Sequence, residues 1–253
     1  MMLISNGNQQ KRRGLVVVAK PPLVGEVKTR LCPPLTLPQA CALYECLLLD
    51  IVSKMEEYQS AELWIAFAPK GEEYFRRNFA DRKRLLQQRG GNLGERLHHI
   101  FVDLFHLGYQ QIVVTDSDSP TVPLSSIAQA YELLDGESCD VVLGPSSDGG
   151  YYLVGLKSPT EGLFHRIPWS SAAVVEKSLE RASELGLNVA LLPLAYDIDV
   201  EADLKRLWED LQASPELQER ALKTYAFLRR FFSEPDQIGR ERTFRPLRYD
   251  EGG

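Results

Sequence analysis

The sequence has few cysteines, no long apolar run and no excess of positive charge. Four cysteines in 253 residues, none of them in a CxxC pair, do not form a disulfide framework and indicate reduced thiols in a cytoplasmic protein. No apolar stretch approaches the ~18–20 residues that cross a bilayer, and residues 1–14 lack the apolar core of a secretory signal. With 29 basic and 35 acidic side chains the net charge is −6, which disfavours nucleic-acid binding.

Several motifs with well-defined chemistry are also missing. The sequence contains no GxxxxGK[ST] loop, no GxGxxG fingerprint, no GxSxG elbow and no HExxH pair. These absences disfavour a P-loop nucleotidase, a dinucleotide-dependent enzyme, a serine hydrolase and a zinc protease. Any chemistry therefore has to come from residues outside these patterns.

The apolar periodicity alternates between strands and helices, and 44% hydrophobic residues are enough to form a core. The pattern predicts strands at 15–19, 63–68, 84–88, 112–115, 141–143, 151–156 and 189–192, and helices at 38–58, 93–107, 123–134, 170–185, 201–211 and 215–232. Such alternation is typical of an α/β domain whose parallel or mixed sheet is covered on both faces, and the short link before 151–156 predicts an antiparallel pair. We expect a flexible extension at 1–14, one domain at 15–232 and a polar tail at 233–253.

The loop after the first predicted strand combines a glycine with several cations. Open α/β sheets bind ligands at the carboxyl ends of their strands, and here the chain reads KPPLVGEVKTRL from Lys20. Gly25 would let a ligand approach the backbone, and Lys28 and Arg30 could neutralise a diphosphate. The alternative is a solvated loop with ordinary surface cations.

Paired carboxylates follow two other predicted strands. Asp116 and Asp118 are two residues apart, so in an extended segment they would face the same way and could bind Mg²⁺ or Mn²⁺. Asp197 and Asp199 repeat this spacing after the last strand. The alternatives are a turn in the first case and a helix start near Asp199 in the second.

Two glycine-containing segments allow both a structural and a functional interpretation. Asp148, Gly149 and Gly150 lie between two strands, where they could form a hairpin turn or leave room for an acceptor held by Asp148. The segment GGNLGER, which includes Gly94 and Arg96, could be a simple helix start or a ligand loop at a helix N-terminus.

Six segments in this order resemble a known family. They are AKPPLVGEVKTRL, QRGGNLGERL, TDSDSPTVP, DVVLGPSSDGGYYLVGL, LFHRIPWSS and DIDVEADL, within about 15–207. The set resembles the glycosyltransferase-A-like family of radical-SAM/selenodomain-associated transferases, within the nucleotide-diphospho-sugar transferase superfamily. The first and third segments are also similar to 2-phospho-L-lactate guanylyltransferase and the molybdenum-cofactor guanylyltransferases.

The resemblance implies a three-layer, Rossmann-like mixed sheet and assigns roles to individual residues. Lys20, Gly25, Lys28 and Arg30 match the nucleotide-phosphate loop, Asp118 and Asp199 match the metal ligands for Mg²⁺ or Mn²⁺, and Asp148, Gly149 and Gly150 match the acceptor loop. We also assign Gly94 and Arg96 to nucleotide binding. The sequence departs from the family pattern at Asp116, which either adds a metal ligand or faces solvent, and at Asn92 and Val200.

These assignments predict a metal-dependent enzyme that transfers a sugar from a nucleotide-diphosphate-sugar to a small acceptor. Lys28 would stabilise the departing diphosphate, and Asp148 would orient or deprotonate the acceptor hydroxyl. Two alternatives remain open: a nucleotidyltransferase that releases pyrophosphate from a triphosphate, and a non-catalytic nucleotide-sugar-binding protein.

Overall fold

The computed structural model describes residues 11–80 and 84–233, so most of the predicted extension and tail lies outside the described residues. The strands are β1 Arg13–Ala19, β2 Glu62–Phe67, β3 Arg84–Gln87, β4 Gln111–Thr115, β5 Val141–Pro145, β6 Tyr151–Leu156 and β7 Val189–Leu191. The helices are α1 Leu37–Glu56, α2 Glu72–Phe79, α3 Leu93–His106, α4 Leu124–Asp135, α5 Val174–Glu184, α6 Glu201–Ala213, α7 Pro215–Arg220 and α8 Leu222–Ser233. None of the helices within the described ranges is long and apolar enough to span a bilayer.

The strands form one mixed sheet in the order β3-β2-β1-β4-β6-β5-β7. The pairs β1–β2, β1–β4, β2–β3 and β5–β7 are parallel, whereas β6 runs antiparallel to both β4 and β5. The predicted antiparallel pair is therefore β5–β6. The chain leaves β1 towards β2 on one side and leaves β4 towards β5 on the other. The connections of these two neighbouring strands therefore diverge, and such a divergence opens a crevice at the carboxyl edge of a sheet.

Alternating side chains of the strands pack into two apolar layers, one on each face of the sheet. On one face, Leu15 and Val17 of β1 pack with residues of α1, α2 and α4. On the other face, Val16 packs with residues of α3 and α5. Alternation within a central strand is the expected consequence of its two-residue period. The structure therefore confirms the predicted three-layer α/β architecture.

A third apolar cluster lies away from the sheet and anchors two loops. It is formed by the side of α1 carrying Leu43 and Leu47, by α6 and α8, and by Leu31 and Ile198. Both Leu31 and Ile198 are fully buried. Because they lie three residues after Lys28 and one residue before Asp199 respectively, this cluster brings together two segments that are distant in sequence.

Several predicted boundaries differ from the structure. The strand β1 includes Arg13 and Gly14, which the sequence pattern left in the extension. Helix α2 was not predicted, although Tyr74, Phe75 and Phe79 form its buried side. The predicted C-terminal helix is divided at Ala221, whose backbone departs from helical geometry between α7 and α8.

The helix predicted at 170–185 begins later, at Val174. Ser170 adopts a positive φ of 66°, so it does not serve as the helix N-cap. Ser171 instead donates to the Pro168 carbonyl at 2.7 Å and accepts from the Ala173 N–H at 3.3 Å. Both serines therefore belong to a turn before the helix, a role that serine fills as readily as capping.

Candidate active site

Lys28 lies between two carboxylates at the carboxyl edge of the sheet. Its Nζ atom is 2.5 Å from Asp118 Oδ2, after β4, and 2.8 Å from Asp199 Oδ1, after β7. The Lys28 side chain is only 4% exposed. Three segments that follow three different strands therefore meet at one ammonium group. They meet at the edge of the sheet where the connections leaving β1 and β4 run in opposite directions.

The backbone around Lys28 explains how its side chain reaches this position. Lys28 has a left-handed conformation, with φ 50°, and directly precedes a short 3-10 turn at Thr29–Leu31. Val27 is buried in the layer beneath the sheet and Leu31 in the third apolar cluster. These two apolar anchors hold the loop from both sides and direct the lysine inwards.

Opposite charges control the ionisation of this cluster. Burial by itself lowers the pKa of Lys28, but the charges of Asp118 and Asp199 outweigh it, so the pKa lies above its ordinary value. Burial by itself raises the pKa of Asp199, and the charge of Lys28 reverses this effect. The ammonium and the Asp199 carboxylate therefore both remain charged at neutral pH.

Asp116 forms part of a turn and does not bind Lys28. Its Oδ2 accepts from the Ser119 hydroxyl at 2.5 Å, and its Oδ1 accepts from the Ser119 N–H at 3.2 Å. Burial and the nearby charge of Asp118 raise the pKa of Asp116. The chain turns between Asp116 and Asp118, and the role of Asp116 as a third metal ligand stays a prediction.

Asp199 is held at its position by the start of α6. The backbone N–H groups of Asp199 and Val200 both donate to Asp203 Oδ2, at 3.0 Å and 2.8 Å. Asp203 thus caps the helix from its third position, although Val200 has no capping oxygen of its own. The Asp199 carboxylate is left free to face Lys28.

The remaining cations of the predicted phosphate loop lie at the surface of the cluster. The Arg30 side chain is 70% exposed, and its Nη1 is 3.4 Å from Asp199 Oδ2. Lys20 is exposed, while its charge contributes to the lowered pKa of Asp199. Gly25 has a φ of +82°, and a Cβ added there would meet no described atom within 4 Å, so the backbone at this position is open. Lys20, Lys28 and Arg30 therefore lie near Asp199, and their binding of phosphate stays a prediction.

The Asp148–Gly150 segment forms the turn between β5 and β6. Asp148 is exposed, and its Oδ1 accepts from the Gly150 N–H at 2.8 Å. A Cβ on Gly149 would lie 2.1 Å from the Ala172 carbonyl oxygen. The segment before α5 therefore fills the space on the Cβ side of Gly149, and acceptor binding by Asp148, Gly149 and Gly150 stays a prediction.

The GGNLGER segment is organised as a helix start. Glu95 accepts from the Gly91 N–H and from Asn92 Nδ2, both at 2.7 Å, and the Arg96 Nε donates to the Gly90 carbonyl at 3.2 Å. A Cβ on Gly94 would lie 2.5 Å from Trp169 Nε1. The missing side chain of Gly94 therefore makes room for a tryptophan, and nucleotide binding by Gly94 and Arg96 stays a prediction.

Ser146 and Asp197 form a contact that the sequence motifs do not reveal, since the resemblance assigns a metal role to Asp199 alone of the Asp197–Asp199 pair. Ser146 Oγ donates to Asp197 Oδ1 at 2.8 Å, which links the end of β5 to the segment after β7. Burial raises the pKa of Asp197, and the charges of Asp118, Asp148 and Asp199 add to the rise. The sequence feature that could have identified Asp197 is its two-residue spacing from Asp199, because this spacing puts both residues near the carboxyl edge of the sheet.

The two carboxylates on Lys28 provide a suitable donor set for a divalent cation. One oxygen from each lies within 2.8 Å of a common point, the Lys28 Nζ. Mg²⁺ is commonly held by one or two carboxylates together with substrate phosphates and water. Within residues 11–80 and 84–233 no group of three or more His, Cys, Asp or Glu side chains is arranged to hold a metal. The residues therefore fit a cation that obtains its other ligands from a phosphorylated substrate.

Comparison with solved structures identifies the fold as that of the nucleotide-diphospho-sugar transferases. A candidate nucleotide-diphospho-sugar transferase of Desulfovibrio desulfuricans G20 is 29% identical over 88% of this chain and 96% of its own, with a TM-score of 0.80. A cytidylyltransferase of Leptospira borgpetersenii is 12% identical over 92% and 99% of the two chains, with a TM-score of 0.57. CMP:2-keto-3-deoxy-manno-octonic acid synthetase, complexed with CTP, is 11% identical over 80% and 99%, with a TM-score of 0.53. The last two similarities show the fold alone.

Residues 51–171 of the sequence match a family model described as an uncharacterized protein conserved in bacteria, DUF2064. This segment contains Asp118 and Asp148 but not Lys28 or Asp199. A search of curated protein sequences finds no match. The resemblance to the nucleotide-diphospho-sugar transferase superfamily is confirmed by the structural similarities.

Proposed function

We propose that this protein is a metal-dependent transferase that moves a sugar from a nucleotide-diphosphate-sugar to a small acceptor. The observation that carries the proposal is the contact of Lys28 with Asp118 and Asp199 at the carboxyl edge of the sheet. This cluster offers a cation for phosphate and two hard oxygen ligands for a metal. The similarity to a candidate transferase over 88% of the chain supports the same activity.

The departing nucleoside diphosphate requires stabilisation of negative charge. A divalent cation held by Asp118 and Asp199 would supply a Lewis acid for the diphosphate oxygens. Lys28 would bind a phosphate oxygen directly, and the exposed Lys20 and Arg30 would attract the diphosphate into the site. Arg30 has the freedom to do so, because its side chain is 70% exposed and its contact with Asp199 is long.

Asp148 is the proposed proton acceptor for the acceptor hydroxyl. Its turn places the carboxylate at the same edge of the sheet as the Lys28 cluster, and its charge acts on Asp197. Its hydrogen bond with the Gly150 N–H uses only one carboxylate oxygen, Oδ1. The exposed Asp148 is therefore accessible to a small acceptor that enters beside the donor.

Nucleotidyl transfer is the second candidate function. It would use the same phosphate loop and metal, but the acceptor would attack an α-phosphate and release pyrophosphate. The observation in its favour is the Lys28–Leu31 run, in which the Lys28 ammonium contacts Asp118, the proposed metal ligand, and a short turn follows. The cytidylyltransferase structures have the same fold.

The first experiment is a thermal-shift screen of nucleotides and nucleotide-sugars with and without Mn²⁺. A ligand at ~100 times its dissociation constant should stabilise the fold by ~2.7 kcal/mol, which is measurable. The best ligands are then incubated with the enzyme, and Asp118→Asn serves as the matched control without an intact metal site.

The products decide between the candidates. Glycosyl transfer predicts metal-dependent release of a nucleoside diphosphate from a nucleotide-sugar, slow with water and faster with the right acceptor. Pyrophosphate released from a triphosphate, with every nucleotide-sugar inert, would establish nucleotidyl transfer instead. Tight binding without turnover across a broad donor panel would mean a non-catalytic binding protein.

A further inference from the structure

The ammonium of Lys28 occupies the position that the proposed function gives to a divalent cation. Lys28 Nζ is within 2.8 Å of both Asp118 Oδ2 and Asp199 Oδ1. A metal ion bound by the same two oxygens on the side of the ammonium would overlap it. Lys28 and a metal ion in that position therefore compete for these two oxygens.

A free metal ion would have to displace Lys28 at considerable cost. The lysine makes two charge-assisted hydrogen bonds, which are about twice as strong as neutral ones, and its side chain is 4% exposed. Displacement would leave a buried ammonium without these acceptors and next to a dication. Arg30, whose Nη1 is 3.4 Å from Asp199 Oδ2, adds a further positive charge.

A diphosphate removes both the loss of hydrogen-bond acceptors for Lys28 and the repulsion between the metal ion and the nearby positive charges. Its oxygens can accept hydrogen bonds from the displaced ammonium, and they can complete the coordination of a metal that has only two protein ligands. The diphosphate charge also offsets the approach of the dication to Lys28 and Arg30. The same residues that exclude the free metal therefore favour the metal when it arrives with a diphosphate.

We propose that this site binds the metal–diphosphate complex as its ligand and excludes the free metal, because Lys28 holds Asp118 and Asp199 until a diphosphate gives it new acceptors. This inference rests on the proposed function and adds an order of binding to it. Binding of metal and diphosphate is then positively coupled, and by reciprocity each increases the affinity for the other by the same factor. Lys28 is the origin of that coupling.

The test measures the binding of Mn²⁺ alone to Lys28→Met by electron paramagnetic resonance. Met keeps most of the length of the side chain but cannot bind either carboxylate. We expect Lys28→Met to bind free Mn²⁺ at least about fivefold more tightly than the parent, which is the lower end of typical coupling factors. Lys28→Arg, which keeps a cation, and Lys177→Met, which removes a positive charge from α5, should both bind Mn²⁺ as weakly as the parent.

A second titration adds inorganic pyrophosphate, with a protein-free titration to correct for complexes in solution. In the parent, pyrophosphate should increase the Mn²⁺ affinity at least about fivefold, and in Lys28→Met this increase should shrink. Unchanged or weaker binding of free Mn²⁺ to Lys28→Met would overturn the inference. So would a parent that binds Mn²⁺ equally well with and without pyrophosphate.

Thermal unfolding covers the case in which Lys28→Met folds poorly. Without the ammonium, Asp118 and Asp199 repel each other, and Mn²⁺ should restore the melting temperature of this variant more than it raises that of the parent. Failure of Mn²⁺ to do so would also contradict the inference. The proposed function fails separately, if no nucleotide-sugar or triphosphate is bound or turned over while Lys28→Met still gains affinity for free Mn²⁺.

Discussion

The phenol of Tyr44, on α1, joins the ends of two central strands. Its oxygen accepts from the Lys20 N–H at 2.9 Å, after β1, and lies 3.0 Å from the Ser117 hydroxyl, after β4. Tyr44 is 3% exposed and Ser117 is 5% exposed. Through this one group, α1 fixes the spacing of the loops that carry Lys28 and Asp118.

Tyr44→Phe should destabilise the fold and weaken nucleotide binding together. The variant keeps the ring but leaves the Lys20 N–H and the Ser117 hydroxyl without this partner, which costs about 1–3 kcal/mol for buried groups. Urea unfolding gives the loss of stability, and calorimetry gives the nucleoside diphosphate affinity. Tyr225→Phe is the matched control, because the Tyr225 ring stacks on Trp208 and needs no hydroxyl to do so. A Tyr44→Phe variant with parental stability and affinity would show that the phenol is dispensable.

Gly149→Ala and Gly186→Ala separate backbone strain from a steric clash. Both glycines have a positive φ, +90° and +67°, but a Cβ on Gly186 would meet no described atom within 4 Å, whereas one on Gly149 would lie 2.1 Å from the Ala172 carbonyl oxygen. We expect Gly186→Ala to cost about 1–2 kcal/mol from the left-handed backbone. Gly149→Ala should cost about 1–3 kcal/mol more, as in overpacked cores. Equal losses in the free energy of unfolding, measured by chemical denaturation, would mean that the segment at Ala172 moves aside at no energetic cost.

Lys54 should make the stability of the protein depend on pH in the alkaline range. Lys54 is 3% exposed, donates to the Pro120 and Val122 carbonyls, and burial lowers its pKa from 10.5 to about 8. Between these values the unfolded chain binds more protons than the folded one, so stability rises with pH. The parent should therefore gain about 3 kcal/mol relative to Lys54→Met between pH 8 and pH 10.5.

The comparison is made by urea unfolding at both ends of this pH range. Lys205→Met serves as the control, because it also replaces a lysine by methionine but at a side chain that is 61% exposed. If the free energy of unfolding changes equally with pH in the parent and in Lys54→Met, Lys54 keeps an ordinary pKa in the folded protein.

Asp118→Asn and Asp116→Asn distinguish a metal ligand from a turn residue. Asp118 contacts Lys28, whereas both oxygens of Asp116 accept hydrogen bonds from Ser119. Asp118→Asn should weaken Mn²⁺-dependent binding of a nucleoside diphosphate at least about tenfold, since even changes behind a metal ligand have effects of that size. Asp116→Asn should keep the metal dependence and lower only the stability. The opposite pattern would place the metal on Asp116.

The sequence singled out three candidate residues that the fold brings together, but it did not predict their contacts. Lys28, Asp118 and Asp199 could be found because each follows a recognisable strand. Their meeting at one ammonium depends on Leu31 and Ile198, which pack in an apolar cluster that no local pattern reveals. The contacts of two glycines could not be predicted from local patterns for the same reason. Gly94 packs against Trp169 and Gly149 packs against Ala172, and each partner is distant in sequence. Local patterns identify the chemistry at the end of a strand, while packing between segments decides which groups meet.

Substitutions at Asp148 can separate its role in the turn from its proposed role as a proton acceptor. Asp148→Asn keeps the Oδ1 that accepts from the Gly150 N–H at 2.8 Å, so the turn between β5 and β6 should remain intact. The amide cannot accept a proton from an acceptor hydroxyl or from water. We therefore expect Asp148→Asn to bind nucleotide-sugar and Mn²⁺ normally and to release nucleoside diphosphate about 10²–10⁴-fold more slowly.

Asp148→Ala should lose both the turn and the activity, and its melting temperature should fall below that of Asp148→Asn. If Asp148→Asn turns over at the parental rate while Asp148→Ala does not, Asp148 acts only in the turn, and the proton must go to another group at this edge of the sheet, with Asp197 the first to examine.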